Sequence, residues 1–291
     1  MLKQIAIVSG KGGTGKTTLS ASFSYLANSR VMADCDVDAP NLHIILEPEV
    51  KATQQYVGSK KAILDQDKCI RCGICQKVCR FDAIAFDGEK YFVKEYACEG
   101  CNACVLQCPT NALKLVDSLS GEYYTSETEN GPMTHALLKP GEETTGGLIA
   151  EVRKKAVSVA HAENIRLVII DGAPGIGCPA TSSITSTSYV VIVAEPTMSG
   201  LHDLKRIVQT VEHFRIPMGI VINKRDMNKV QAVEIEKYCA EKSLEILGKI
   251  PYDVTVKTAT EQAQPVILYE CPAANEIKEI WSKIENRLMK G

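Results

Sequence analysis

This sequence predicts an α/β fold: a mostly parallel, doubly wound sheet with helices on both faces, interrupted by a smaller α+β insertion. Three observations carry the expectation. Short apolar runs recur at residues 5–8, 31–35, 167–170, 189–194, 218–222 and 247–250. Stretches of helical character lie between them, and near-continuous apolar runs joined by helices are how buried parallel strands read. Near residue 60 the composition changes abruptly, and eight of the 12 cysteines fall within the next fifty residues. A chain of 291 residues has room for one large domain with an insert. The division predicted is a discontinuous main domain of residues 1–59 and 118–291, and an inserted domain of residues 60–117.

The first apolar run leads straight into Gly10, Lys11, Gly12, Gly13, Thr14, Gly15, Lys16, Thr17 and Thr18. A strand feeding a glycine-rich turn and then a helix start holds a nucleoside triphosphate, because backbone N–H groups and the helix N-terminus face the phosphates. In this Walker A pattern Lys16 serves the β- and γ-phosphates and the Thr17 hydroxyl serves a magnesium ion. A second lysine, Lys11, is not required by the ordinary pattern.

That deviant loop resembles the MinD/ParA and nitrogenase iron protein superfamily of dimeric P-loop ATPases. The resemblance implies ATP and Mg2+ as cofactors and a homodimer, or a heterodimer with a paralogue. It also implies that Lys11 reaches the partner subunit's nucleotide as an arginine finger does, a contribution worth roughly 10³ to 10⁵ in rate.

Residues 17–28 suit the helix that closes the loop, and residues 31–35 read as a strand leading to Asp36-Val37-Asp38. Two carboxylates at i and i+2 beyond a strand end can enter one cleft. By the resemblance this is switch I, with Asp36 supporting the metal and Asp38 positioning the attacking water.

Cys69, Cys72, Cys75 and Cys79 form C-x-x-C-x-x-C-x-x-x-C, and Cys98, Cys101, Cys104 and Cys108 repeat it, followed by Pro109. This is the bacterial ferredoxin run, in which three cysteines hold one 4Fe-4S cluster and the fourth reaches the other. Cluster 1 is expected on Cys69, Cys72, Cys75 and Cys108, and cluster 2 on Cys98, Cys101, Cys104 and Cys79. The repeat extends to Asp82-Ala83-Ile84, answered by Asn111-Ala112-Leu113, which marks an internal duplication. Arg80 stands where the pattern has proline, a change that touches the turn and not the ligands. Zinc also accepts four thiolates, but its sites use paired C-x-x-C knuckles.

From residue 121 to 147 a polar segment with Tyr123, Tyr124 and Thr125, then residues 133–138, then Lys139-Pro140-Gly141, reads as a hairpin returning the chain to the main domain. His135 within it is read as structural. Residues 147–162 suit the next helix. The run 167–170 ends in Asp171, the Walker B position that holds magnesium through its water shell, and Gly172-Ala173-Pro174-Gly175 follow as a mobile switch loop. Cys178 lies seven residues beyond Asp171. At this offset the resembled iron protein has a cysteine that binds a cluster shared between subunits, so Cys178 is a candidate interface ligand. The competing reading is an inert buried cysteine.

After a helix from about residue 201 to 213, the run 218–222 ends in Asn223-Lys224-Arg225-Asp226. This matches the guanine-reading N-K-x-D, but in the resembled ATPases the asparagine contacts adenine, and ATP is the expected nucleotide. Pro251 and Asp253 follow the last strand, and in the family the backbone there lines the base pocket. Cys239 and Cys271 are read as packing residues. The final helix, from about residue 273, carries Ile277, Ile280, Ile284 and Leu288 on one stripe beside Trp281. Its mixed charges argue docking on the domain, not a stable membrane anchor.

A net charge of −2 with mixed charges gives no electrostatic case for nucleic acid. Clustered cysteines in metal-ligand spacing point to a reducing compartment. No basic, apolar leader precedes the loop and no apolar run reaches about 18 residues, so the expectation is a cytoplasmic protein. The resemblance covers nearly the whole chain and suggests an energy-coupled iron–sulfur protein of anaerobic bacteria or archaea. Its ATPase cycle is expected to drive electron transfer, or delivery of a cluster or metal, to a redox or apo-iron–sulfur acceptor protein. The alternatives are an assembly scaffold whose ferredoxin clusters are structural, and a MinD/ParA-like positioning ATPase.

Overall fold

The computed structural model describes residues 1–140, 142 and 146–290, with the side chains of Ser59, Met289 and Lys290 left out of the description. Gly141, assigned above to the turn after Pro140, lies outside the described residues. By internal contacts the chain divides into two compact units. The first comprises Met1–Gln54, Tyr123–Leu137 and Thr144–Gly291; the second comprises Gln55–Glu122 and Leu138–Glu143.

The elements run in the order β1 (Lys3–Val8), α1 (Lys16–Leu26), β2 (Val31–Asp34), α2 (Leu42–Leu46), β3 (Glu49–Leu64), α3 (Ile74–Val78), β4 (Ile84–Phe86), β5 (Tyr91–Val93), α4 (Ala103–Leu106), β6 (Leu113–Thr128) and β7 (Gly131–Leu138). They continue as α5 (Gly146–Ala162), β8 (Leu167–Asp171), α6 (Cys178–Ile184), β9 (Tyr189–Ala194), α7 (Met198–His213), β10 (Met218–Ile222), α8 (Lys229–Glu241), β11 (Glu245–Lys249), α9 (Val254–Glu261) and α10 (Pro272–Lys290). Sheet order is β11-β10-β9-β1-β8-β2-β7-β6-β3. The pairs β1–β8, β1–β9, β9–β10, β10–β11, β2–β8 and β2–β7 are parallel.

Burial on both faces explains why these strands read as unbroken apolar runs. Ile5 and Ile7 join one core cluster with Phe23, Met32, Ile169, Val191 and Ile280. Ala6, Val8, Val168 and Ile170, which point the other way along strands of period two, are equally buried, and α5 and α6 pack on these strands. The stripe of α10 is buried at Ile277, Ile280 and Ile284, and Trp281 meets Phe23 at a ring-centroid distance of 5.1 Å. Each large apolar side chain buried this way contributes about 1.5–3 kcal/mol, which holds the helix to its own domain.

Sequence patterning anticipates neither β3 nor α8 and α9. β3 is 16 residues long and largely exposed, so no alternation of apolar and polar residues marks it. α8 and α9 are announced by side-chain caps: Asn228 accepts from the Gln231 N–H and Asp253 from the Thr255 N–H.

The second unit contains the antiparallel pair β4–β5 and the one-turn helices α3 and α4. Its core gathers Ala62, Cys75, Ala83, Ile84, Cys98, Cys104 and Leu113. The 29-residue repeat is visible in the backbone. Positive φ occurs at Arg71 and Gly100, at Gly73 and Asn102, and at Asp82 and Asn111.

Candidate functional site

The glycine-rich loop joins β1 to α1, and its conformation depends on residues without a Cβ. Gly13 and Gly15 have φ of 76° and 96°, values that favour glycine, and a Cβ on Gly15 would strike the Asn223 amide. Gly15 caps α1 without any side-chain hydrogen bond, and no acid sits in the first turn. The first N–H groups of α1 therefore stay available to an anion, as they do wherever helix N-termini bind phosphate. Gly12 and Gly13 have open space where a Cβ would be, and the Thr14 hydroxyl is buried without a hydrogen-bond partner. Lys16 is 4 % exposed, with Nζ 4.0 Å from Asp36 Oδ2.

Three acids approach from neighbouring strand ends. Asp171 ends β8 and Asp34 ends β2, and the two are paired in the parallel register. Each is 1 % exposed, and Oδ2 of each lacks a hydrogen-bond partner. Ser20 Oγ donates to Asp171 Oδ1 at 2.9 Å, and the Asp36 N–H donates to Asp34 Oδ1 at 3.1 Å. Burial raises the Asp171 pKa to about 6 against the opposing pull of Lys16. Burial and the adjacent Asp171 hold the Asp34 carboxyl well above its ordinary range. Asp36 is also raised, by burial more than Lys16 lowers it, whereas Asp38 is exposed. Two buried carboxylates with orphaned oxygens beside the Thr17 helix start form a donor set that fits a hard divalent cation bound partly through water. Sequence reasoning missed Asp34. Its signal was available, because like Asp171 it is the acid that closes an apolar strand.

Lys11 is held by its own chain. Its Nζ lies 3.2 Å from Thr197 Oγ1, 3.3 Å from Ser199 Oγ and 3.6 Å from Glu195 Oε2. Lys224 reaches the other Glu195 oxygen at 3.5 Å and the Gly13 carbonyl at 3.3 Å. Asn223 donates through Nδ2 to the Thr14 carbonyl at 2.7 Å, tying the end of β10 to the loop. Asp226 accepts from the Tyr252 N–H, and the Asp253 carboxylate is spent on Thr255 and Ala273 N–H groups. Pro251 and Asp253 thus sit on a turn braced by these hydrogen bonds. None of the Glu195 contacts was foreseen, since Glu195 carries no motif of its own.

Cys178 opens α6 and is exposed, not buried as the competing reading had it. Cys239 and Cys271 are buried, as packing residues should be. His135 accepts or donates one hydrogen bond with Ser126 at 2.9 Å and stacks on Tyr124 at 4.9 Å.

In the second unit the eight clustered cysteines face two cavities. Cys69, Cys72, Cys75 and Cys108 line one, and Cys79, Cys98, Cys101 and Cys104 line the other. The fourth cysteine of each run is thereby brought to the other run's cavity. Backbone N–H groups point at the sulfurs: Ala83 to Cys79 at 3.4 Å, Ala112 to Cys108 at 3.3 Å and Ala62 to Cys98 at 3.3 Å. Among the described residues, no group of three or more His, Cys, Asp or Glu side chains is placed to hold a single metal ion.

A glycine-rich loop at the head of a helix, with acids at adjacent ends of a parallel sheet, defines a P-loop nucleotide hydrolase. The chain belongs to the CobQ/CobB/MinD/ParA nucleotide binding domain family, whose profile matches residues 5–266, and it is an ATPase of the MinD/ParA type. It is 32% identical to an uncharacterized protein of Methanocaldococcus jannaschii, over 98% of this chain and 97% of that one. It is 24% identical to an iron-sulfur cluster carrier protein of the same organism, over 98% of this chain and 84% of that one. Its fold is similar to that of the septum site-determining protein MinD of Pyrococcus horikoshii, solved with Mg-ADP, at a TM-score of 0.60 and 18% identity, covering 100% and 99% of the two chains. No described helix is long and apolar enough to cross a membrane.

Proposed function

We propose that this protein is a cytoplasmic ATPase whose hydrolytic cycle gates electron transfer through two 4Fe-4S centres to a partner protein. Residues 1–59 and 118–291 form the ATPase domain in this reading, and residues 60–117 an inserted ferredoxin domain. The observation that carries it is the sorting of eight cysteines into two sets of four, each around its own cavity and each completed by the other run's last cysteine. Thiolate sets of this kind suit iron–sulfur clusters, whose potentials respond to N–H···S hydrogen bonds of the sort made by Ala62, Ala83 and Ala112. When bound, such centres supply one-electron chemistry.

In the ATPase half, Gly10 to Thr18 cradle the phosphates of ATP and Lys16 neutralises them. Thr17, Asp36 and Asp171 hold Mg2+, with Asp34 added to that set by its orphaned oxygen. Asp38 belongs to the water-positioning side of switch I, Asn223 and the backbone of Pro251 and Asp253 to the base side. Lys11 leaves its Glu195 contact on dimerisation, with a second copy or a paralogue, to meet the partner's nucleotide.

A second reading, delivery of a cluster or metal to an apo-acceptor, is favoured by the 24% identical carrier and by the exposed Cys178 as an interface ligand. Protein purified anaerobically is expected to contain iron and sulfide and to change its ATP turnover between oxidised and reduced forms. Labelled iron then separates the readings: under ATP, electrons but not iron should reach an acceptor. Colourless protein, or turnover indifferent to reduction, would sink the proposal.

A further inference from the structure

The two cysteine cavities are related by the repeat, and within their linings they differ in charge at one position. The repeat matches Cys69 with Cys98, Cys72 with Cys101, Cys75 with Cys104 and Cys79 with Cys108. The backbone around them matches as well. Cys79 and Cys108 accept from the N–H groups of Ala83 and Ala112 at 3.4 and 3.3 Å. Each cavity has a further polar contact to sulfur of this kind: Ala62 N–H to Cys98 at 3.3 Å, and the Thr110 hydroxyl beside Cys108 at 3.7 Å. Polar contacts of the same kind reach sulfur in both cavities and do not by themselves order the two.

Charge does. Ile70 follows the first cysteine of one run and lines the cavity of Cys69, Cys72, Cys75 and Cys108. Glu99 follows the first cysteine of the other run and lines the cavity of Cys79, Cys98, Cys101 and Cys104. Apart from the cysteines, Glu99 is the acidic or basic side chain in that lining, whereas the first cavity has none. Next to the first cavity's ligands stand Lys68, which is paired with Asp65 at 3.0 Å, and Arg71. Arg80 adjoins Cys79 but lies outside the lining; it and Glu99 are both exposed and partly screened by water, so place in the lining, not burial, sets Glu99 apart. The second cavity also has both Cys98 and Cys104 buried, against Cys75 alone in the first.

Resting on the iron–sulfur reading above, we propose that Glu99 makes the centre of Cys79, Cys98, Cys101 and Cys104 the lower-potential member of an ordered pair. One electron added to either centre leaves the cluster and its four thiolates with one more negative charge. A carboxylate in the lining opposes that charge, and the burial of both Cys98 and Cys104 strengthens the opposition. The electron therefore passes downhill to the centre of Cys69, Cys72, Cys75 and Cys108, oxidising one centre and reducing the other; Ile70 beside it is 64 % exposed, while Cys72 and its counterpart Cys101 are exposed alike. Departure toward an acceptor takes place from that end.

The test is a redox titration of the anaerobically purified full chain with dithionite, followed by electron paramagnetic resonance. Two separated reduction waves are expected, the lower one vanishing in Cys101→Ser. Glu99→Ile should move the lower wave up toward the other. Ile70→Glu should move the upper wave down, and the double exchange should reverse the order. Coincident waves in the unaltered protein, or waves unmoved by both single substitutions, overturn this ordering while leaving the clusters in place. Protein with normal folding but without iron, sulfide or either signal overturns the iron–sulfur reading along with it.

Discussion

The glycine-rich cleft and the cysteine unit are built on opposite plans. In the cleft, groups from β1, β2, β8, β9 and β10 meet across the sheet, so Lys16 finds Asp36 and Lys11 finds Glu195 over long stretches of chain. In the cysteine unit the side chains come from two short runs, and a repeated backbone places them. A site assembled from strand ends depends on the whole domain being folded. A site written into local spacing depends on a few turns, so damage to one should leave the other largely intact.

Variants of the cleft should show the largest effects. Lys16→Ala is expected to abolish ATP binding, because it removes the buried cation of the loop. Lys11→Ala should retain binding and lose turnover by about 10³-fold or more, read by nucleotide binding alongside phosphate release. Full turnover in that variant would remove the trans role. Next come the two switch acids. Asp36 is half-buried against Lys16 and Asp38 is exposed, so Asp36→Asn should cost about 10²-fold and Asp38→Asn clearly less. The reverse order in steady-state rates would return the dominant role to Asp38.

The cysteine unit supplies the counterpart. Cys79→Ser and Cys108→Ser should each lower iron and sulfide by about half, as expected for one centre of two. ATP binding should be unchanged in both. Cys79→Ser should lose the spectroscopic signal that Cys101→Ser loses, and Cys108→Ser the signal that Cys72→Ser loses. Pairing within each run instead would contradict the cavity linings.

The smallest expected effect concerns His135, which belongs to the ATPase unit. Burial, with His43 nearby, lowers its pKa to about 4 from the usual 6.5. The unfolded chain then takes up a proton between those values that the folded chain refuses. Its contribution to stability is complete above about pH 6.5 and is lost as pH falls toward 4. His135→Gln should flatten thermal stability across that window, and an unchanged slope would remove this histidine from the acid response.

Much of the architecture was readable because burial on both faces leaves unmistakable apolar runs, as at β9 and β10, whose bounds coincide with those runs. β3 gave no such signal, since a mostly exposed strand needs no apolar face. The loop from Gly10 to Thr18 and the eight spaced cysteines were legible for a related reason: phosphate cradles and thiolate sets constrain neighbours in sequence. Asp34 was passed over although the acid closing an apolar strand is the same feature that drew attention to Asp171.

By itself the amino-acid order determined the parallel α/β architecture, the phosphate loop and the grouping of cysteines, because each depends on periodicity or spacing within a few residues. Only the tertiary structure decided that Asp34 and Asp171 lie side by side with orphaned oxygens. It also decided that Lys11 rests on Glu195, and that Glu99 occupies the place Ile70 holds in the other cavity. These are contacts between segments far apart in the chain or comparisons between cavities, and charges act through distance in space, which spacing along the sequence does not record.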